Sequence, residues 1–160
     1  MRSGHGSTEV MVEVARGVDE ALVAAMAQLL PQLDPSAPIP HGLQLQALVD
    51  APASLLLLAH APVVARSIVG MLTLSIVAIP SGCHAWIDDV VVDAAWRGRG
   101  VAALLVGEAL RLAASRGAVS VDLTSRPERS DANRLYQRLG FVRRETNVYR
   151  HELARDASTT

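Results

Sequence analysis

The segment Arg97-Gly98-Arg99-Gly100-Val101-Ala102 lies between a β-branched apolar run and a stretch with an apolar helical face. Glycines at 98 and 100 let backbone approach a ligand closely, and the first N–H groups of the helix that follows point at the same spot. The chemistry implied is anion binding, and a phosphate or pyrophosphate fits. A P-loop needs Gly-x4-Gly-Lys-Ser/Thr, which is absent, and a dinucleotide turn needs a third glycine where this chain has Ala103. A second group is Asn133 and Tyr136, one turn apart on a short helix that Ser130 or Asp131 would cap and Gly140 would end in the left-handed conformation. An amide can hold a polar group, and a phenol can donate a proton as a general acid. Tyr136 read alone is more readily a half-buried core aromatic with a satisfied hydroxyl. The third group is Asp88 and Asp89, two acids inside the apolar run Trp86 to Val92, costly there unless hydrogen-bonded or functional. Strand alternation sends them to opposite faces, so at most one lines a given cleft, and the sequence does not choose between them.

These groups need elements to hold them. Ala85 to Val92 reads as a central strand, and Val101, Leu104, Leu105 and Leu112 recur at helical spacing behind the glycine loop. Upstream, Thr8 to Ala15 alternates as a strand and Asp19 to Leu30 has helical spacing at Leu22, Met26, Leu29 and Leu30. Prolines 35, 38 and 40 make Leu33 to Gly42 a loop able to cover an acceptor site, and a short helix follows near Leu43 to Val49. Ser54 to His60 and Ser67 to Ile79 read as strands joined by a turn at Ala61 to Arg66, forming an antiparallel meander with Ala85 to Val92. Val119 to Thr124, reached by a helical crossover, should run parallel to the central strand. Phe141 to Arg144 and Thr146 to Leu153 are expected to close the sheet as a hairpin-like pair.

Two spacings go further together than apart. Arg97, Gly100 and Ala102 follow the pattern Arg/Gln-x-x-Gly-x-Gly/Ala, and Ala132 to Phe141 follows Ala-x-x-x-Tyr-x-x-x-Gly-Phe. On these motifs the chain resembles the Gcn5-related N-acetyltransferase (GNAT) family. The resemblance implies an α/β (α+β) fold, a mixed, mostly antiparallel central sheet flanked by helices. It implies acetyl-CoA as acetyl donor, with its pyrophosphate on the amides of residues 97 to 102 and its pantetheine arm on the backbone of Val90, Val91 and Val92, which would also polarise the thioester carbonyl. Tyr136 would protonate the leaving thiolate, Asn133 would position the cosubstrate, and Asp88 or Asp89 would accept the amine proton. His84 and Glu145 are weaker candidates. One departure stands out: many members carry Asn two turns before the tyrosine, where this chain has Arg129, and Asn133 could substitute for it. Arg126 and Arg129 read equally as phosphate ligands or as solvated loop charges.

The activity implied is N-acetyl transfer by direct attack of a primary amine in a ternary complex. A small acceptor of amino-sugar or amino-acid type is favoured over a protein N-terminus or lysine, because Leu33 to Gly42 and Ile79 to His84 carry few charges. A non-catalytic acyl-CoA sensor or interaction module is the alternative of another class. Pairing of two subunits through the C-terminal strands is open under the resemblance.

Composition is compatible with this reading. A length of 160 residues, half of them hydrophobic, suits one domain with a sizeable core. It is expected at 8–154, with 1–7 and 155–160 disordered. A net charge of −1 and 3% aromatics offer neither a basic field nor a stacking platform for nucleic acid. The single Cys83 permits no intramolecular disulfide, and the five histidines show no metal-ligand spacing, so no metal is expected. No apolar run approaches the roughly 20 residues that span a bilayer, and the first residues lack an apolar signal core; no membrane association and a cytoplasmic location are expected.

Overall fold

The computed structural model describes residues 10–62 and 67–153. Five strands form one sheet in sequential order: β1 (Met11–Val14), β2 (Ser54–Ala61), β3 (Ser67–Ile79), β4 (Gly82–Val92) and β5 (Ser120–Leu123). The first four pair antiparallel, and β5 joins β4 in parallel, as its helical crossover requires. Helices α1 (Glu20–Leu33) and α2 (Gly42–Asp50) cover one face, α3 (Val101–Ser115) covers the other, and α4 (Ser130–Arg138) follows β5. The expected termini at 1–7 and 155–160, and residues 63–66 of the expected turn, lie outside the described residues.

Covered faces explain the near-continuous apolar reading of β2. Leu56 and Leu58 enter the core under α1 and α2, whereas Leu57 and Ala59 enter the core under α3. Leu57, Leu72, Leu74 and Leu105 are fully buried, and truncating any one to alanine would cost about 2–5 kcal/mol. Gly70 lets α3 close on the sheet, since a Cβ there would meet Val91 O at 3.1 Å and Leu105 Cδ1 at 3.3 Å.

Helix α1 begins where its cap lies, with Asp19 Oδ1 accepting from Leu22 N–H at 2.8 Å, and buries Leu22, Met26, Leu29 and Leu30. It runs one turn beyond the expected Leu30. Pro31 removes one donor, yet Asp34 N–H still reaches Leu30 O at 3.0 Å and the last turn holds. A capping box between His41 and Gln44 starts α2 one residue early, at Gly42. In α3 the buried stripe is Val101, Leu105, Val106, Ala109 and Ala113, with Leu104 turned out at 46% exposure. Ala109 and Ala113 are part of this stripe, which rotates the face away from the one the leucines suggest.

Two local expectations are corrected. The cap of α4 is Arg129, one residue before Ser130, and no side chain satisfies its first turn. Residues 141–153 form no strands. The hairpin expected there lacks a face to bury, because its apolar residues Val142, Val148, Tyr149 and Leu153 are at least 74% exposed and its neighbours are charged. Arg144 reaches Asp122 of β5 at 3.8 Å without any backbone ladder.

Candidate active site

A cavity of about 1050 Å³ opens where β4 and β5 part. The parallel ladder pairs His84 to Ile87 with Ser120 to Leu123 and then stops. From Asp88 onward the β5-facing edge of β4 has no partner strand among the described residues, so its N–H and C=O groups face the cavity, where Val90 and Val92 line the wall. Val91 is buried on the opposite face in one core with Met71, pairs with Met71 of β3, and does not line the cavity.

The strand is also deformed there. Val91 pairs with Met71 and Asp88 with Thr73, so Asp89 and Val90 together oppose the single residue Leu72. Asp89 has φ +50°, the only positive φ at a non-glycine among the described residues. This bulge overturns the expectation that only one of the two acids reaches a given cleft: with the alternation broken, Asp88 and Asp89 both line the cavity. Their settings differ. Asp88 Oδ1 accepts from Trp86 Nε1 at 3.2 Å, whereas the Asp89 carboxyl has no hydrogen-bond donor among the described residues. Partial desolvation and then the neighbouring Asp88 charge raise the Asp89 pKa above the usual carboxylate range.

Opposite the strand edge lies the start of α3. Gly98 (φ +74°) and Gly100 (φ +80°) occupy conformations that favour glycine, and the N-terminus of α3 receives no side-chain cap. Its free N–H groups therefore point into the cavity from Val101 and Ala102. Arg97, Gly98 and Gly100 line the same cavity; Arg99 instead stacks over Trp96, 4.8 Å from the ring centroid.

Tyr136 forms the third wall, packed edge-on to Phe141 at 5.8 Å. Burial raises the phenol pKa, with Arg129 pulling weakly the other way, so the hydroxyl keeps its proton through neutral pH. Asn133 lies on the same helix and uses its amide differently from the sequence expectation, donating to Arg126 O at 2.9 Å and holding the β5–α4 loop. Arg129 likewise has a protein partner, donating to Leu33 O at 2.8 Å, where it satisfies a carbonyl at the end of α1. Gly140 (φ +90°) ends α4 as expected.

Three contributors were not singled out from sequence. Ser125, just after β5, has a buried hydroxyl with no partner on the cavity wall. Gln32 and Asp93 join α1 to the glycine loop. Ser125 carries no sequence signal, but Gln28 and Gln32 are four residues apart and so share one polar face of α1. His84 bonds Ser120 Oγ at 2.8 Å, Cys83 approaches only Arg116 O at 3.9 Å, and Glu145 is exposed, all away from the cavity lining. Among the described residues no cluster of His, Cys, Asp or Glu could hold a metal, and no helix is long and apolar enough to cross a membrane.

An open strand edge, an uncapped helix start behind two left-handed glycines, and a protonated phenol on one cavity define an acyltransferase of the acyl-CoA N-acyltransferase fold. The chain matches the acetyltransferase (GNAT) family over residues 22–141 and belongs to it. Solved structures share the fold. An acetyltransferase of Trypanosoma brucei is 24% identical, with 91% of this chain and 100% of that one covered and a TM-score of 0.73. An aminoglycoside acetyltransferase from an uncultured soil metagenomic sample, in complex with sisomicin, is 18% identical over 91% and 97%, with a TM-score of 0.77. The aminoglycoside N-acetyltransferase AAC(6')-Iy, in complex with CoA, is 20% identical over 91% and 97%, with a TM-score of 0.72. No curated protein matches the chain.

Proposed function

We propose that this protein transfers an acetyl group from acetyl-CoA to a primary amine of a small molecule, by direct attack within a ternary complex, on a single domain over residues 8–154. The observation that carries the reading is the convergence on one cavity of the unpaired β4 edge, the uncapped α3 terminus and Tyr136. The fit to acetyl-CoA is chemical. Free N–H groups and the helix dipole suit pyrophosphate, free strand amides and carbonyls suit the amide-bearing arm, and the unspent Ser125 hydroxyl suits a polar group of either. Bound acetyl-CoA supplies the activated acetyl group and a thiolate leaving group.

The chain's own groups divide the remaining work. Loop amides from Gly98 to Ala102 and the backbone of Val90 to Val92 hold and orient the donor, and an N–H of the strand edge stabilises charge on the acyl oxygen. Asp89, unpaired and held above the ordinary carboxylate range, takes the amine proton directly or through a water. Asp88, fixed by Trp86, adds negative charge that favours a cationic amine in the cleft. Tyr136 gives its proton to the departing sulfur. Small amines are supported by the two acids side by side in the cleft and by the aminoglycoside acetyltransferases among the structures sharing this fold. Titration calorimetry with acetyl-CoA, against desulfo-CoA and ATP, tests the donor. Micromolar binding selective for acetyl-CoA, followed by thiol release with an aminoglycoside or amino-sugar panel, supports the reading. Absent binding removes it, and binding without turnover on any amine turns it into an acyl-CoA sensor.

A further inference from the structure

The end of α1 reaches across the front of the glycine loop and is tied to it by Gln32, with Gln28 bonding the same Asp93. Gln32 Nε2 donates to Asp93 Oδ2 at 3.0 Å, and Gln32 Oε1 accepts from Ala94 N–H at 2.9 Å and from Arg97 Nη2 at 3.5 Å. Asp93 is the residue on which the loop turns away from the sheet: its Oδ1 accepts from Ala95 N–H at 2.9 Å, and its Oδ2 also receives Gln28 Nε2 at 2.7 Å. Arg97 in turn donates from Nε to Val92 O at 3.1 Å, filling one carbonyl of the open strand edge. Few side chains can serve at position 32, because the group must donate to a carboxylate and accept from a backbone N–H at once. A carboxamide does both; a carboxylate or an ammonium does one.

We propose that Gln32 is a positioning residue that fixes the anion-binding loop of residues 97–102 in its binding geometry, through Asp93 and Ala94. The inference rests on the acetyl-CoA reading for what the loop binds, but not for whether Gln32 orders it. Glycines at 98 and 100 leave that loop many alternatives in the free chain, and each must be given up before the amides converge on an anion. Gln32 removes the upstream end of the loop from that search. It makes no contact with the reacting atoms, so its loss should appear in donor affinity and leave the chemical step near its original rate.

The test uses the intact chain and two readouts, amide hydrogen exchange of residues 94–104 without ligand, and acetyl-CoA affinity by calorimetry. Gln32→Leu should speed exchange in the loop and weaken acetyl-CoA binding about tenfold, the scale of one lost hydrogen bond to a charged group, while exchange at Leu72 and Leu74 stays put. Gln32→Glu should be worse, since it sets two carboxylates against each other. Adding Asp93→Asn to Gln32→Glu restores a donor facing an acceptor, and should recover most of both losses, which a merely structural defect would not do. Unchanged loop exchange in Gln32→Leu overturns the inference, and so does unchanged affinity in a loosened loop. If wild-type protein fails to bind acetyl-CoA yet Gln32→Leu loosens the loop, the positioning role stands and the donor reading falls.

Discussion

Asp89 separates stability from rate more sharply than any other residue of the site. It holds φ +50° in a strand, has an unpaired carboxyl, and carries the proposed proton acceptor. A left-handed conformation costs an L residue about 1–2 kcal/mol, and glycine gives back about 0.5–1 kcal/mol of that relief through its freer unfolded chain, so Asp89→Gly should gain at most about 1.5 kcal/mol. For a chain of this size that raises Tm by at most about 6 °C. Asp89→Asn should be neutral or slightly stabilising, because asparagine tolerates the conformation as aspartate does, and Asp89→Ala should be the least stable of the three. The charge acts in a definite sense. A carboxyl whose pKa is raised by folding binds its proton more tightly in the folded chain, so its ionisation works against the fold as pH rises past the ordinary carboxylate range. The advantage of Asp89→Asn over wild type is therefore present at pH 7 and absent at pH 3. All three variants lack the proposed base and should lose about 10²–10⁴-fold in kcat/KM, and with it the acidic limb of the pH profile. The assays are thermal melts at both pH values and thiol release under saturating acetyl-CoA. A variant series in which Asp89→Ala melts at or above Asp89→Gly refutes the strain argument, and retained turnover refutes the base assignment.

Tyr136→Phe should lower kcat about 10²-fold or more while acetyl-CoA affinity stays within about twofold, because the edge contact with Phe141 survives; calorimetry beside thiol release checks both. Arg129 pulls the phenol pKa down, so Arg129→Met should move the alkaline limb of kcat to higher pH, and it should also free the end of α1 that Arg129 holds through Leu33 O. Gly100→Ala meets no neighbouring atom, so its cost is the backbone alone, about 1–2 kcal/mol, lowering Tm by about 2–8 °C and weakening acetyl-CoA binding as the loop amides turn aside.

Signals confined to a few neighbouring residues were legible in the sequence. The cap at Asp19, the periodicity of Leu22, Met26, Leu29 and Leu30, the bounds of β3 and the parallel β5 follow from local chemistry and connection rules. Helix α1 outran its reading because the apolar spacing ends at Leu30, whereas Pro31 in the last turn removes only one hydrogen bond and Leu30 O still receives Asp34 N–H. The bulge was invisible because Ile87-Asp88-Asp89-Val90 is a regular strand in every local respect; its register is imposed by β3, where Met71 and Thr73 claim partners three residues apart on β4. The bonds from Gln32 to Asp93 and Ala94 and from Arg129 to Leu33 span at least 61 residues of sequence, which no spacing rule reaches.

The bulge and the cavity have related causes. A regular β4 continued beside a longer β5 would satisfy its own edge and leave nothing for a ligand. Here β5 ends at Leu123 after four residues, and the bulge deforms β4 just beyond Ile87, its last residue paired with β5. The backbone groups this exposes would be costly in a sealed core but are tolerable in an open cavity, where water or a ligand can pair with them. The same turn that opens the edge also brings Asp89 beside Asp88 on the cavity wall. One local departure from strand geometry thus accompanies both an open strand edge and a second carboxylate on the cavity wall, and the unfavourable φ falls at the residue proposed to accept the amine proton.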